Sequence, residues 1–365
     1  MSLLERAAAI FPPPNYMQMP SVGIDVSDTS LKYIFFKPSA HSEKAFDLVH
    51  YGDIDIEEGA VERGVVNDVS KLSAALKEVK KKTGIEHVRF SLPEERAYIF
   101  ETEIPHGTPF KEIRGLLEFK LEENVPLSPR DAYFDYEILP LPKEENVLVV
   151  SVTAYAKETV DAYYSACQEA GVVQLSFEVE AQAIARSTIP NDDLGTYMIV
   201  DFGKTRTGIG IVNRGILLYT STIDIGGKEM SAALRRQLGE KEEEELTVLK
   251  NTEGLKPSRE NIAVREALLG TVSAIKDELN TRIQYWNNRH DEKVDKFIEE
   301  IILCGGSSNL KGLPEYLSDS LDIETKRANV WSNAFSIDSY VPPIDQPHSY
   351  GYATAVGLGL SSYTS

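Results

Sequence analysis

The chain reads as short apolar runs broken by polar turns, and two of these runs follow one pattern. From residue 22 to 36 apolar positions surround Asp25 and a polar turn, Ser27-Asp28-Thr29-Ser30, which predicts a strand, a tight turn and a returning strand. The same order recurs later. Met198-Ile199-Val200 runs into Asp201, then Gly203-Lys204-Thr205, then an apolar stretch over 208–212, and Asn213-Arg214-Gly215 turns the chain into Ile216-Leu217-Leu218. Each copy is an antiparallel hairpin with a carboxylate at the end of its first strand. Two such hairpins, far apart in one chain, predict a duplicated α/β lobe with a cleft between the copies.

The region between them has its own rhythm. Residues 98–104 read as a strand, 109–124 as a helix, 132–139 and 147–155 as strands, and 157–170 as an amphipathic helix stopped at Gly171. That order predicts a small α+β subdomain inserted into the first lobe. After the second hairpin, Gly226-Gly227 opens a helix through 237, and Glu242-Glu243-Glu244-Glu245 begins another whose acidic run reads as a solvated face. A polar break at 251–259 precedes a long helix over 261–289. Strand 301–304, a glycine loop and helices near 312–320 and 352–360 complete the chain. The expected boundaries are a leader at 1–20, a first lobe at 21–95 and 175–195 interrupted by the insert at 96–174, and a second lobe at 196–227 and 299–365 around a helical subdomain at 228–298. In the leader, 3–10 reads either as a short amphipathic helix ended by Pro12-Pro13-Pro14 or as a loose extension.

Composition narrows the class. With 365 residues, 42% hydrophobic and 26% charged, the chain is a globular one with more than a single core. Its formal charge of −19 disfavours both nucleic acid and anionic lipid as partners. Cys167 and Cys304 are the only cysteines and form no C-x-x-C pair, so neither a disulfide framework nor a structural zinc site is expected. No apolar run approaches the ~20 residues that span a bilayer, and the first residues lack the pattern of a signal peptide. A cytoplasmic protein without direct membrane insertion is the expectation.

Phosphate recognition needs backbone amides, small hydroxyl side chains and a carboxylate able to hold hydrated Mg²⁺. Asp25 is followed by Ser27, Thr29, Ser30 and Lys32, and Asp201 by Gly203, Lys204, Thr205 and Thr207. Either set alone reads equally well as a turn that satisfies itself. Their duplication points to phosphate. At 301–307 a β-branched strand runs into Gly305 and Gly306, which either lets backbone pack flat against a ligand ring or makes a simple βα turn.

The order Gly-Ile-Asp-Val-Ser-Asp-Thr-Ser-Leu-Lys at 23–32, Val-Asp-Phe-Gly-Lys-Thr-Arg-Thr at 200–207, Ile-Gly-Gly-Lys-Glu at 225–229 and Leu-Cys-Gly-Gly-Ser-Ser-Asn-Leu-Lys-Gly-Leu at 303–313 resembles the two phosphate motifs and the adenosine motif of the actin, sugar-kinase and heat-shock-chaperone superfamily. The insert is similar to that of the FtsA and PilM families. Phe119-Lys120-Leu121-Glu122-Glu123-Asn124-Val125-Pro126-Leu127-Ser128-Pro129 and Glu178-Val179-Glu180-Ala181 resemble PilM segments, and the end of the chain lacks the basic amphipathic helix of FtsA. The resemblance therefore favours the PilM family of type IV pilus assembly proteins.

It implies an α/β, actin-like (ribonuclease H-like, duplicated) two-lobe fold with an inserted FtsA/PilM-type α+β subdomain, binding ATP and Mg²⁺. Asp25 and Asp201 would face the metal. Ser27, Ser30, Lys32, Gly203, Lys204, Thr205 and Thr207 would line the phosphates. Gly227, Glu229 and Glu278 would approach the ribose, and Gly305, Gly306 and Ser307 the adenine. Glu180 stands where actin positions its attacking water, and is a catalytic candidate beside Asp201; a polar cap on the next helix is the other reading. Lys204 and Arg206 replace small residues found in some relatives.

The function implied is an ATP-binding adaptor of the type IV pilus, or related type II secretion, inner-membrane platform, with at most slow hydrolysis. It would sit in the cytoplasm at that membrane, holding the cytoplasmic tail of a PilN-like membrane protein in a groove between the first-lobe core and the insert, walled by some of 88–92 and the neighbouring inserted strands. The pilus motor ATPase complex and self-association are further implied partners. An FtsA-like filament or a small-metabolite kinase remain the alternatives.

Overall fold

The computed structural model describes residues 19–39, 46–140, 147–257, 261–289, 297–338 and 340–363. The expected leader helix at 3–10 and its prolines lie outside them. The first predicted hairpin forms as β1 (Val22–Val26) and β2 (Ser30–Pro38), and the chain returns once more as β3 (Phe46–Asp55). A two-residue hairpin, β4 (Val61–Glu62) with β5 (Val65–Val66), leads into the helix Val69–Thr83. Asp68 caps that helix by accepting from the Lys71 amide, and Gly84 ends it at φ 70°. β6 (His87–Leu92) then lies parallel to β1.

The insert follows as β7 (Tyr98–Pro105), the helix Phe110–Asn124, β8 (Ala132–Ile138) and β9 (Val147–Ala156), with its own antiparallel sheet in the order β7-β9-β8. Ile113, Leu117 and Leu121 bring one face of the helix onto Phe100, Val150 and Val152. The helix Lys157–Ala170, expected within the insert, instead buries Tyr163, Ala166 and Cys167 in the core of the first lobe and packs against Val69–Thr83. β10 (Val173–Val179) returns parallel to β6 and completes a sheet ordered β10-β6-β1-β2-β3.

The second lobe repeats the plan. β11 (Thr196–Phe202), β12 (Thr207–Asn213) and β13 (Ile216–Ile223) form the antiparallel half. β14 (Glu300–Cys304) and β15 (Glu324–Arg327) add in parallel on the other side of β11, in the order β13-β12-β11-β14-β15. Between the halves run the helices Gly227–Leu238, Glu243–Thr252 and Ile262–Arg289. The long helix buries Val264, Leu268, Val272, Ile275, Leu279, Ile283 and Trp286, a single stripe at helical spacing, against Met198, Val200 and Ile209.

The helix Ala353–Leu360, expected in the second lobe, packs instead on the first, against β1, β2 and β6. Every residue in it is buried, and it lies against both β1 and the helix Glu180–Thr188. A side chain at Gly357 would place its Cβ 1.7 Å from the Ala183 carbonyl oxygen, and one at Gly23 would meet the Ala355 carbonyl at 2.3 Å. The approach therefore depends on glycine. β6 corrects one sequence expectation: Val88, Phe90 and Leu92 are at most 2% exposed, and the strand is hydrogen-bonded on both edges, so 88–92 is sheet interior and cannot wall an open groove. Among the described residues no helix is long and apolar enough to cross a membrane.

Candidate functional site

In each lobe the central strand has an antiparallel neighbour on one side and a parallel one on the other, and ligands in open α/β sheets bind beyond the carboxyl ends of strands at such a switch. The ends of β1 and β11 open on one shared cleft of about 1010 Å³. Of the residues expected from the sequence, it brings together Asp25, Ser27, Ser30, Lys32, Glu180, Asp201, Gly203, Lys204, Thr205, Gly227, Gly305, Gly306 and Ser307. Three others do not line it. Thr207 is buried and donates its hydroxyl to the Ile225 carbonyl at 2.7 Å; Glu229 accepts from the Gly226 amide at 2.8 Å and caps its own helix; Glu278 pairs with Arg282 one helical turn on.

Local hydrogen bonds hold each turn in shape. In the first, the Ser27 amide donates to the Ser30 carbonyl and the Ser30 amide to Ser27 Oγ at 3.1 Å, while Lys32 Nζ donates to Ser30 Oγ at 3.0 Å. Ser91 Oγ donates to Asp25 Oδ1 at 3.0 Å. In the second, the Gly203 amide donates to the Arg206 carbonyl at 2.9 Å. The amides of Gly227 and Lys228 donate to the carbonyls of Gly203 and Lys204, so the start of the helix Gly227–Leu238 is spent on bracing the turn rather than on the cleft. Ser307 Oγ also donates to the Gly203 carbonyl. Gly305, at φ 80°, permits a close approach: a Cβ there would lie 2.3 Å from Asp201 Oδ1.

Four carboxyl groups crowd the inner end. Burial and the nearby Asp25 push the Asp201 carboxyl up to about 7, and burial with the repulsion of Asp201 pushes Glu94 up to about 8. Burial, then Asp25 and Glu94, hold Glu180 well above the ordinary carboxylate range; burial raises Asp25 too, against the pull of Lys32. Glu180 is the first residue of the helix Glu180–Thr188, whose N-cap is Val179, and its side chain lines the cleft.

Sequence reasoning missed Glu94. It is 4% exposed and lines the cleft, and the backbone amides of Ala181 and Ile209 favour its charged form against burial. It carries the same signal as Asp25, an acid just beyond an apolar strand. Sequence reasoning also missed the outer end, where Glu243, Thr247, Lys250 and Asn251 face the cleft from the helix Glu243–Thr252. Lys250 is buried there, donating to Ser231 Oγ at 2.9 Å and pairing with Glu243 at 3.4 Å.

A family model described as type IV pilus assembly protein PilM matches residues 23–363. The chain belongs to this family. The solved PilM-PilN type IV pilus biogenesis complex is similar over 94% of this chain and 99% of that one, with 20% identity and a TM-score of 0.75. Ethanolamine utilization protein EutJ from Carboxydothermus hydrogenoformans is similar over 96% of this chain and 90% of its own, with 17% identity and a TM-score of 0.52. MreB5 of Spiroplasma citri, solved bound to ADP, is similar over 86% and 92%, with 13% identity and a TM-score of 0.52. At these identities the likeness is one of fold, and it is the actin-like two-lobe fold expected from the motifs.

Proposed function

We propose that the cleft binds ATP with Mg²⁺ and that the chain is an ATP-binding adaptor of a type IV pilus assembly platform. The observation that carries this is the convergence of two equivalent acidic turns, ending in Asp25 and Asp201, on one cavity. The phosphates lie between Ser27, Ser30 and Lys32 on one side and Gly203, Lys204 and Thr205 on the other. Gly305, Gly306 and Ser307 border the base, with Glu243 and Lys250 at the ribose end. Of the cations at the phosphate end, Lys32 is shared with Asp53 and Arg206 with Asp28 and Glu95. A polyanion entering among Asp25, Glu94, Glu180 and Asp201 therefore needs further positive charge.

The donor set fits Mg²⁺ in one particular way. Among the described residues no three acids, histidines or cysteines come close enough to hold a bare ion. Mg²⁺ keeps several waters and takes one or two carboxylates plus phosphate oxygens, which matches Asp25 and Asp201 facing a triphosphate. Glu94 lies beside them, buried against Gly208, with the backbone amides of Ala181 and Ile209 favouring its charged form. A bound ion would neutralise phosphate charge, and Glu180, whose carboxyl burial and the neighbouring Asp25 and Glu94 hold well above the ordinary range, would be placed to orient a water.

The partner in this reading is the cytoplasmic tail of a PilN-like membrane protein, which holds the adaptor at the inner membrane. Membership of the family supports it, as does the likeness to a PilM solved in complex with PilN. The insert offers apolar side chains for a tail to cover, with Phe110 78% and Phe119 72% exposed. Calorimetric titration with MgATP and with a synthetic tail, alongside phosphate release, tests the whole. One nucleotide per chain, tail affinity that changes with nucleotide, and slow release support it; rapid transfer of phosphate to a small metabolite, or no tail binding, contradicts it.

A further inference from the structure

Arg206 closes the second phosphate turn, yet its side chain belongs to neither lobe alone. Its Nη2 donates to Asp28 Oδ1 at 2.9 Å, in the middle of the first turn, and its Nη1 pairs with Glu95 just beyond β6. The Arg206, Asp28 and Glu95 side chains keep only 18–20% of their exposure, so solvent screens these pairs less than surface ones. All three line the cleft at its inner end. The base and ribose end lies opposite, toward Glu243 and Lys250. The guanidinium thus spans the two turns where the last phosphate of a long polyphosphate would stand.

The backbone beneath it is fixed. The Gly203 amide holds the Arg206 carbonyl, and a Cβ on Gly226 would lie 2.7 Å from the Arg206 nitrogen, so the turn is packed from both sides and any exchange of partners falls to the side chain. A guanidinium presents the same fork of donors to a carboxylate and to a phosphate, which makes the two direct competitors. A diphosphate held by the same turns is one group shorter and leaves the carboxylates in possession.

Resting on the nucleotide reading above, we propose that Arg206 distinguishes triphosphate from diphosphate by exchanging Asp28 and Glu95 for the terminal phosphate, so that ATP unfastens a contact between the lobes that ADP leaves closed. No bond is made or broken covalently. Asp28, released from Arg206, lies beside the phosphates in the first turn, and Glu95, next to Glu94 in the chain, loses the same partner. The number of phosphates becomes a change in how firmly the lobes are joined.

Calorimetry with a non-hydrolysable ATP analogue and with ADP, each with Mg²⁺, tests this in wild type, Arg206→Gln and Asp28→Asn, with thermal melts to confirm folding. Arg206→Gln should lower affinity for the analogue about tenfold while ADP changes by less than about twofold. Asp28→Asn removes a competitor for the guanidinium and should raise analogue affinity severalfold without altering ADP; it also serves should Arg206→Gln not fold. An unchanged analogue-to-ADP ratio in folded Arg206→Gln, or weaker analogue binding in Asp28→Asn, overturns the inference alone. Failure of the wild type to bind either nucleotide removes the nucleotide reading and this inference with it.

Discussion

Asp25 and Asp201 hold the same place in two copies of one hairpin: Asp25 pairs across the strands with Lys32, and Asp201 with Gly208 at the same spacing. On the parallel side the match continues, since Asp25 accepts the Ser91 hydroxyl from β6 and Asp201 sits beside Cys304 of β14. The copies differ where the first has a lysine and the second a glycine. A Cβ on Gly208 would lie 2.2 Å from Glu94 Oε2, so the missing side chain leaves room for an acid from the other lobe. Duplication built a symmetrical cleft, and this substitution made its floor acidic.

That floor sets a pH dependence. Acids whose folded pKa is raised bind protons in the folded state, so their contribution to stability is complete below the ordinary carboxylate range and is lost as pH rises through about 7 for Asp201 and about 8 for Glu94. The melting temperature in metal-free buffer should fall between about pH 5 and pH 8.5. Mg²⁺ supplied together with ATP should restore it more at the higher pH, where the carboxylates are ionised. Scanning fluorimetry across that range checks both signs; an Mg²⁺ effect larger at low pH would contradict the assignment.

Glu180 lines the cleft beside Asp25 and Asp201, which predicts a kinetic effect rather than a binding one. Glu180→Gln should slow phosphate release by about 100-fold while MgATP affinity stays within about threefold. An equal loss of affinity would assign Glu180 to holding the ligand.

At the outer end two glutamates separate cleanly. Glu243→Gln should weaken nucleotide binding about fivefold, whereas Glu278→Gln, whose side chain is tied to Arg282 outside the cleft, should leave the calorimetric constant unchanged.

Gly357 tests the packing of the last helix against the helix Glu180–Thr188. Gly357→Ala forces a methyl into the Ala183 carbonyl and should cost about 1–3 kcal/mol in urea unfolding, since neither backbone has room to retreat. A change below about 0.5 kcal/mol would show that the two helices slide apart freely.

What the sequence reveals and conceals follows from how local each signal is. Both hairpins, the insert and the long helix were legible because strand alternation, turn residues and helical spacing are local properties of the chain. The residues that failed to reach the cleft failed for reasons of packing. Glu229 follows the glycine pair as a ribose ligand would, but its shortest partner is the Gly226 amide, and the cap wins. Glu278 lies on a helix whose orientation is decided by the stripe from Val264 to Trp286, which turns it toward Arg282. Glu243 was hidden in a run of four acids that reads as solvent-facing; Leu246, fully buried, sets the helix so that this one glutamate turns inward. Glu94 needed the other lobe to be recognised, because only Gly208 shows that its carboxylate is accommodated.

A crystal structure grown with Mg²⁺ and a non-hydrolysable ATP analogue addresses the central claim most directly. It should show the triphosphate between residues 27–30 and 203–205, with Asp25 and Asp201 on the water shell of a single ion and the base beside Gly305 and Gly306. Nucleotide density elsewhere on the molecule, with neither aspartate near a phosphate or an ion, would contradict the account.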